Sequence, residues 1–205
     1  MRTLRFGTIV GNRGPGVVEL VPKAEDCNGN GDFDDDRTAY QQIYEDTNDD
    51  GYYDAGDTWV RERRAGCSYF HPAHNHWHFE GFARYDLARA HGGRIVRTAK
   101  KVSFCVRDSF RFGNLTGSPE SPAYGDCTQD STMGLSIGWS DWYPSSLEGQ
   151  ELDVTGLPDG RYCLRLTVDP RDRIRESDES DNVRTRLLRL RGTTVTDLGR
   201  ACPSL

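Results

Sequence analysis

At 205 residues, 35% of them apolar, the chain can bury one sizeable core, and a single domain over residues 1–205 is the expectation. No run approaches the ~18 consecutive apolar residues of a membrane-spanning helix, so no membrane span is expected. The net charge of −6 excludes simple phosphate-backbone binding as the main task, and with it a nucleic-acid partner.

Met1–Val10 lacks a continuous apolar stretch, so no secretion signal is read there, and Leu4–Val10 reads as an immediate strand. Val17–Pro22 reads as a second strand, joined to the first by a hairpin-like turn over Asn12–Gly16. Residues 25–57 then carry twelve acidic groups against the single basic Arg37 and read as an acidic, calcium-binding insertion. In its second loop Asp46, Asn48, Asp50, Asp54 and Asp57 occupy positions 1, 3, 5, 9 and 12 of a calcium-loop pattern. Gly51 gives the sharp turn at position 6, and the Tyr52 carbonyl fills position 7. The first loop opens the same way with Asp26, Asn28, Asn30, Asp32 and Asp34, a second calcium candidate. Its twelfth position is Arg37, so Asp35 or Asp36 must close the shell. Arg37–Tyr44, between the loops, reads as a short helix. Calcium here is expected to be structural, holding an irregular segment beside the histidines that follow.

Those histidines are the strongest signal. His71, His74, His76 and His78 are four of the chain's five, within eight residues. On a strand, side chains alternate between faces, so His74, His76 and His78 project together while Trp77 and Phe79 face an apolar layer. Three imidazoles suit zinc or copper equally by type. Strands follow at Arg94–Arg97, Val102–Arg107, Leu152–Val154, Tyr162–Val168 and Val183–Leu190, with a Gly/Pro/Ser-rich loop over Phe110–Ser131. Short strands between turn residues predict an all-β fold, an antiparallel β-sandwich with long loops.

Six dispersed cysteines, with no CxxC pair, suggest disulfides and an oxidising compartment; free buried thiols are the competing reading. A secreted or cell-surface protein whose sequence is trimmed or mis-started reconciles the disulfides with the missing signal. Lysine is scarce: Lys23, Lys100 and Lys101 stand against twenty-three arginines. GC-rich coding bias explains this without function; avoidance of primary amines by a protein that attacks them is the sharper reading.

Four ordered motifs carry a resemblance to the catalytic domain of the lysyl oxidases, in a prokaryotic form. They are His71-x-x-His74-x-His76-x-His78 with Tyr85-Asp-Leu87, Lys101-Val-Ser103-Phe104-Cys105, Leu135-Ser-Ile-Gly138 through Asp141-x-Tyr143, and Val168-Asp-Pro170 through Glu176-Ser-Asp178 to Asn182-Val183. Leu4-Arg-Phe6 and Asn12-x-Gly14 extend the likeness upstream, with the acidic loops as an insertion. The resemblance implies copper on His74, His76 and His78, with His71 nearby rather than coordinating. It implies a lysine tyrosylquinone built from Lys101 and Tyr143, which requires the lysine amine to lose its proton. The implied activity is copper-dependent oxidation, by dioxygen, of peptidyl lysine or other primary amines to aldehydes, with release of hydrogen peroxide and ammonia. Asp141 is the candidate base, or else a turn-capping aspartate. Arg84 stands where the family often has a histidine, and arginine is a poor base. The resemblance best supports a Cys105–Cys127 bridge, leaving Cys27–Cys67 and Cys163–Cys202 by assumption. Two other classes compete: a non-catalytic metal- and calcium-binding β-sandwich of the cell surface, and a zinc hydrolase. Neither has a use for the Lys101–Tyr143 pair.

Overall fold

A computed structural model describes residues 1–32, 34–91, 93–100, 103–113, 115–199 and Cys202. The protein is an all-β, antiparallel sandwich, and among the described residues its strands form four sheets. The largest has six strands in the order β11 (Met133–Leu135), β3 (Val18–Lys23), β4 (Asp36–Glu45), β5 (Thr58–His71), β6 (His76–Glu80) and β9 (Ser103–Phe104). A five-stranded sheet runs β16 (Thr194–Asp197), β15 (Val183–Arg191), β14 (Gly160–Val168), β7 (Ala83–Arg89) and β8 (Ile95–Thr98). A three-stranded sheet places β12 (Trp139–Tyr143) between β10 (Phe110–Arg111) and β2 (Thr8–Gly11), and β1 (Thr3–Arg5) pairs with β13 (Glu151–Asp153).

Both large sheets send side chains into one core: Trp77 and Phe79 from β6, Tyr85 and Leu87 from β7, Tyr162 from β14, Leu188 and Leu190 from β15. Phe104 lies edge-on to Tyr85 at 6.0 Å and to Tyr143 at 5.0 Å, which ties this core to the small sheet carrying β12. Three disulfides, Cys27–Cys67, Cys105–Cys127 and Cys163–Cys202, are the pairs the sequence suggested. No helix among the described residues is long and apolar enough to cross a membrane.

The structure corrects three local expectations. Arg37–Tyr44 is not a helix: it lies within the ten-residue strand β4, paired with β3 on one side and β5 on the other. Its Thr, Tyr and Ile residues suit a pleated surface, and two neighbouring strands satisfy its backbone, so sheet pairing overrides the helical reading. Leu4–Val10 is not one strand. It breaks at Phe6 and Gly7, because the Phe6 amide bonds the Gln150 carbonyl while its ring packs on Tyr85. Nor do β2 and β3 form a hairpin: they lie in different sheets, and Asn12 bridges the crossing by donating to the Gly16 and Leu135 carbonyls. The sequence reading also passed over β12, the strand that holds Asp141 and Tyr143.

Candidate functional site

The histidines sit on the hairpin between β5 and β6. Backbone amides of His74 and Asn75 both bond the His71 carbonyl, and Asn75 takes a left-handed φ of 55°, a conformation that asparagine tolerates. His74 therefore lies in the turn, not on the strand as its spacing suggested. His71 faces His76 across the ladder, and Tyr69 faces His78, which puts these four side chains on one face of the sheet. Trp77 and Phe79 point the other way and are buried, as expected. The Trp77 amide bonds the Cys127 carbonyl, so the Cys105–Cys127 bridge anchors the strand.

The turn gathers all four rings. His78 Nε2 lies 2.9 Å from His76 Nε2 and 3.2 Å from His74 Nδ1. His71 stacks on His74 with centroids 4.2 Å apart, and ligand atoms of His71, His74 and His78 come within 4.8 Å of one another. A neutral imidazole carries a single N–H, so three nitrogens converging on one point leave lone pairs facing each other. His71 Nδ1 is buried without a hydrogen-bond partner. Such a donor set fits a divalent transition metal. Burial first, then the neighbouring His74, Arg107 and His71, lowers the His76 pKa below the ordinary 6.5, which keeps the ring neutral and its lone pair available. His78 Nδ1 lies 3.2 Å from Ser103 Oγ; a proton donated there holds the ring in the tautomer that frees Nε2.

Ser103 opens a short path to Tyr143. Two residues on, the Cys105 carbonyl accepts the Tyr143 hydroxyl at 2.6 Å. Three residues span roughly 7 Å at most between their outer Cα atoms, so this segment touches the metal-type cluster at one end and the tyrosine at the other. Lys101, two positions before Ser103, lies outside the described residues. Tyr143 is buried, and its hydroxyl also contacts the Asp141 carboxyl. A phenol has one proton to give, and a carbonyl can only accept. That one proton therefore lies between two acceptors, the Cys105 carbonyl and the Asp141 carboxylate. Burial disfavours the charge on Asp141: 2% exposed, it has its pKa pushed up from 3.8 to about 6, while bonds from Tyr143, Ser109 and the Arg107 amide hold it back. Burial and the adjacent Asp141 raise the Tyr143 pKa well above 10. Asp141 is thus a buried strand residue, not a turn cap. Arg84 is spent on Asp86 at 3.0 Å, with Arg165 on the same carboxylate at 2.8 Å.

The acidic loops sit at opposite ends of β4. In both, the first carboxylate accepts the position-6 amide: Gly31 onto Asp26 at 2.7 Å, Gly51 onto Asp46 at 2.8 Å. In both, the position-5 amide bonds the Asn at position 3, and the position-7 amide bonds position 5. Asp57, the twelfth residue of the second loop, accepts the Thr47 and Asp54 amides. In the first loop Asp35 reaches back to Asn30, whereas the buried Asp36 accepts the Cys27 and Asn28 amides. Sequence reasoning missed Ser103, Arg107 and Ser109; Ser103 stood inside a quoted motif, but only the folded register gives it a partner.

The family described as lysyl oxidase matches residues 54–198, more than half of the chain. The chain is 38% identical over 116 residues to human Lysyl oxidase homolog 1, covering 56% of this chain and 19% of that protein. It is 30% identical over 115 residues to Lysyl oxidase homolog 2 of Pongo abelii, covering 56% and 14%, and 31% identical over 115 residues to the same homolog of Bos taurus, again covering 56% and 14%. The chain spans less than a fifth of the length of these relatives. It belongs to the lysyl oxidase family.

Proposed function

From that membership we propose that the protein is a copper-dependent amine oxidase. It oxidises peptidyl lysine or other primary amines to aldehydes, passing electrons to dioxygen and releasing hydrogen peroxide and ammonia. The observation that carries this reading is the convergence of four histidines one short segment away from a buried, hydrogen-bonded Tyr143.

His74, His76 and His78 are the proposed copper ligands, with His71 against them. Lys101 and Tyr143 are the proposed parents of a lysine tyrosylquinone. When present, copper supplies the redox chemistry that matures the ring, and the quinone supplies an electrophilic carbonyl toward amines. The remaining work falls to side chains of the protein. Ser103 orients His78. The Cys105 carbonyl and Asp141 hold Tyr143 in one orientation, and Phe104 shields it from water. Asp141, with a pKa near 6, can exchange a proton beside the Tyr143 oxygen at neutral pH, as a general base must.

Calcium is proposed for the loop at Asp46–Asp57, and a second ion for Asp26–Asp34, in a structural role. Three disulfides suit an oxidising compartment, so secretion or cell-surface display is proposed with them. The test is direct. Copper-loaded, aerated protein should develop a visible quinone absorbance, react with phenylhydrazine and release peroxide from primary amines. Peptide mass mapping should find Lys101 joined to Tyr143. Peroxide release by Tyr143→Phe at the wild-type rate overturns the proposal.

A further inference from the structure

A cleft of about 400 Å³ opens beside the histidines, within the range of small-molecule sites. Its walls come from Phe70 and Trp77 of the hairpin, from the segment after β9, and from residues 125–129. It reaches both His76 and Cys105, the residue whose carbonyl holds Tyr143. Two charges stand on these walls. Arg107 follows Cys105 by two residues, Asp126 precedes Cys127 by one, and both are exposed. Among the described residues neither makes an ion pair, with the other or with anything else, although elsewhere Arg5, Arg84, Arg165 and Arg186 all do.

The Cys105–Cys127 bridge, with Cα atoms 5.8 Å apart, joins the two walls and sets the spacing of the backbones that carry the charges. A cation and an anion held on separate walls of one cleft form a preset complement to a dipolar ligand. Arginine's planar fork matches a carboxylate, and a carboxylate accepts an ammonium.

Building on the amine-oxidase reading, we propose that Arg107 and Asp126 select the substrate's head group: a free α-amino acid whose side chain ends in a second, reactive amine. The α-carboxylate pairs with Arg107 and the α-ammonium with Asp126, while the flexible stem delivers the terminal amine past Cys105 toward Tyr143. A lysine inside a peptide has neither head charge, so this places small diamino acids ahead of protein-bound lysine.

Four probes separate the terms: free lysine has both head charges, 6-aminohexanoate only the carboxylate, cadaverine only the second amine, and butylamine neither. Calorimetric titration of the protein should rank lysine first. Arg107→Ala should weaken lysine and 6-aminohexanoate about tenfold relative to butylamine, and Asp126→Asn should weaken lysine and cadaverine likewise. In turnover, the ratio of kcat/KM for lysine to that for butylamine should fall in both variants. An unmoved ratio in Arg107→Ala, or a lysine-containing peptide that outcompetes free lysine, overturns this inference while leaving the oxidase intact. Lysine binding that follows the predicted pattern in a protein that oxidises none of the four amines supports the head-group site and sinks the oxidase reading instead.

Discussion

The histidine hairpin and the acidic loops are both built of metal-type ligands, yet they gather those ligands by opposite means. On the hairpin, ring nitrogens approach to 2.9 and 3.2 Å, held there by the β5–β6 register, the His71–Asn75 turn and the Trp77 anchor. In the loops, Asp46, Asn48 and Asp50 instead accept backbone amides of their own segment. Neutral imidazoles can be packed together by apolar burial around them. Carboxylates repel one another, and each needs a donor to offset its charge. The hairpin is organised by the fold, whereas the loops are organised by their own backbone.

The comparison makes its largest prediction for metal. Changing His74, His76 and His78 together to alanine should abolish stoichiometric copper and quinone absorbance while the protein still folds, read by metal analysis and circular dichroism. Retained metal would break the comparison at its root. His71→Ala should be milder.

The next effect is on pH. Asp141 has a folded pKa near 6 against 3.8 unfolded, so the native state binds the extra proton between those values. Its contribution is fully present below about pH 4 and is lost as pH rises through 6. The difference is about 3 kcal/mol at the upper end. Asp141→Asn should flatten that part of the stability profile in denaturant titrations at pH 4 and pH 7.5. A profile unchanged by the substitution contradicts the burial-raised Asp141 pKa.

Calcium should act on stability rather than on the histidines. An ion at a hundred times its Kd adds about 2.7 kcal/mol to the folded state. Chelation, or Asp50→Ala, should lower the melting temperature by several degrees with copper content unchanged. A melting curve indifferent to both leaves the loops merely acidic.

The smallest effect sharpens the contrast between the loops themselves. Asp26→Ala should cost less than Asp46→Ala, because Cys27–Cys67 and the Asp36 carboxylate already pin the first loop. About 1 kcal/mol should separate them in unfolding experiments. An equal cost removes the distinction.

Arg37 shows why a local pattern can mislead. At the twelfth position of the first loop it looks like a defect, since a cation cannot close a calcium shell. In the fold it leaves the loop altogether: it is 7% exposed, its guanidinium lies 5.4 Å from the Trp77 ring, and it pairs with Asp130 at 3.4 Å. The position serves the histidine hairpin. Arg37–Tyr44 misled for a related reason: which strands lie on either side of a segment cannot be read from the segment.

The sequence by itself determined the all-β class, the presence of a histidine metal-type site and the motifs of its family. Each of these rests on residue type and spacing along the chain, which folding does not alter. Only the tertiary structure decided that His74 sits in a turn, that His71 joins the cluster, and that Asp141 is buried against Tyr143. It also decided that Arg107 and Asp126 face one cleft. Those facts depend on register and burial, which bring together residues from β6, β12 and the segment after β9, and a burial-shifted proton affinity exists only once that packing has closed.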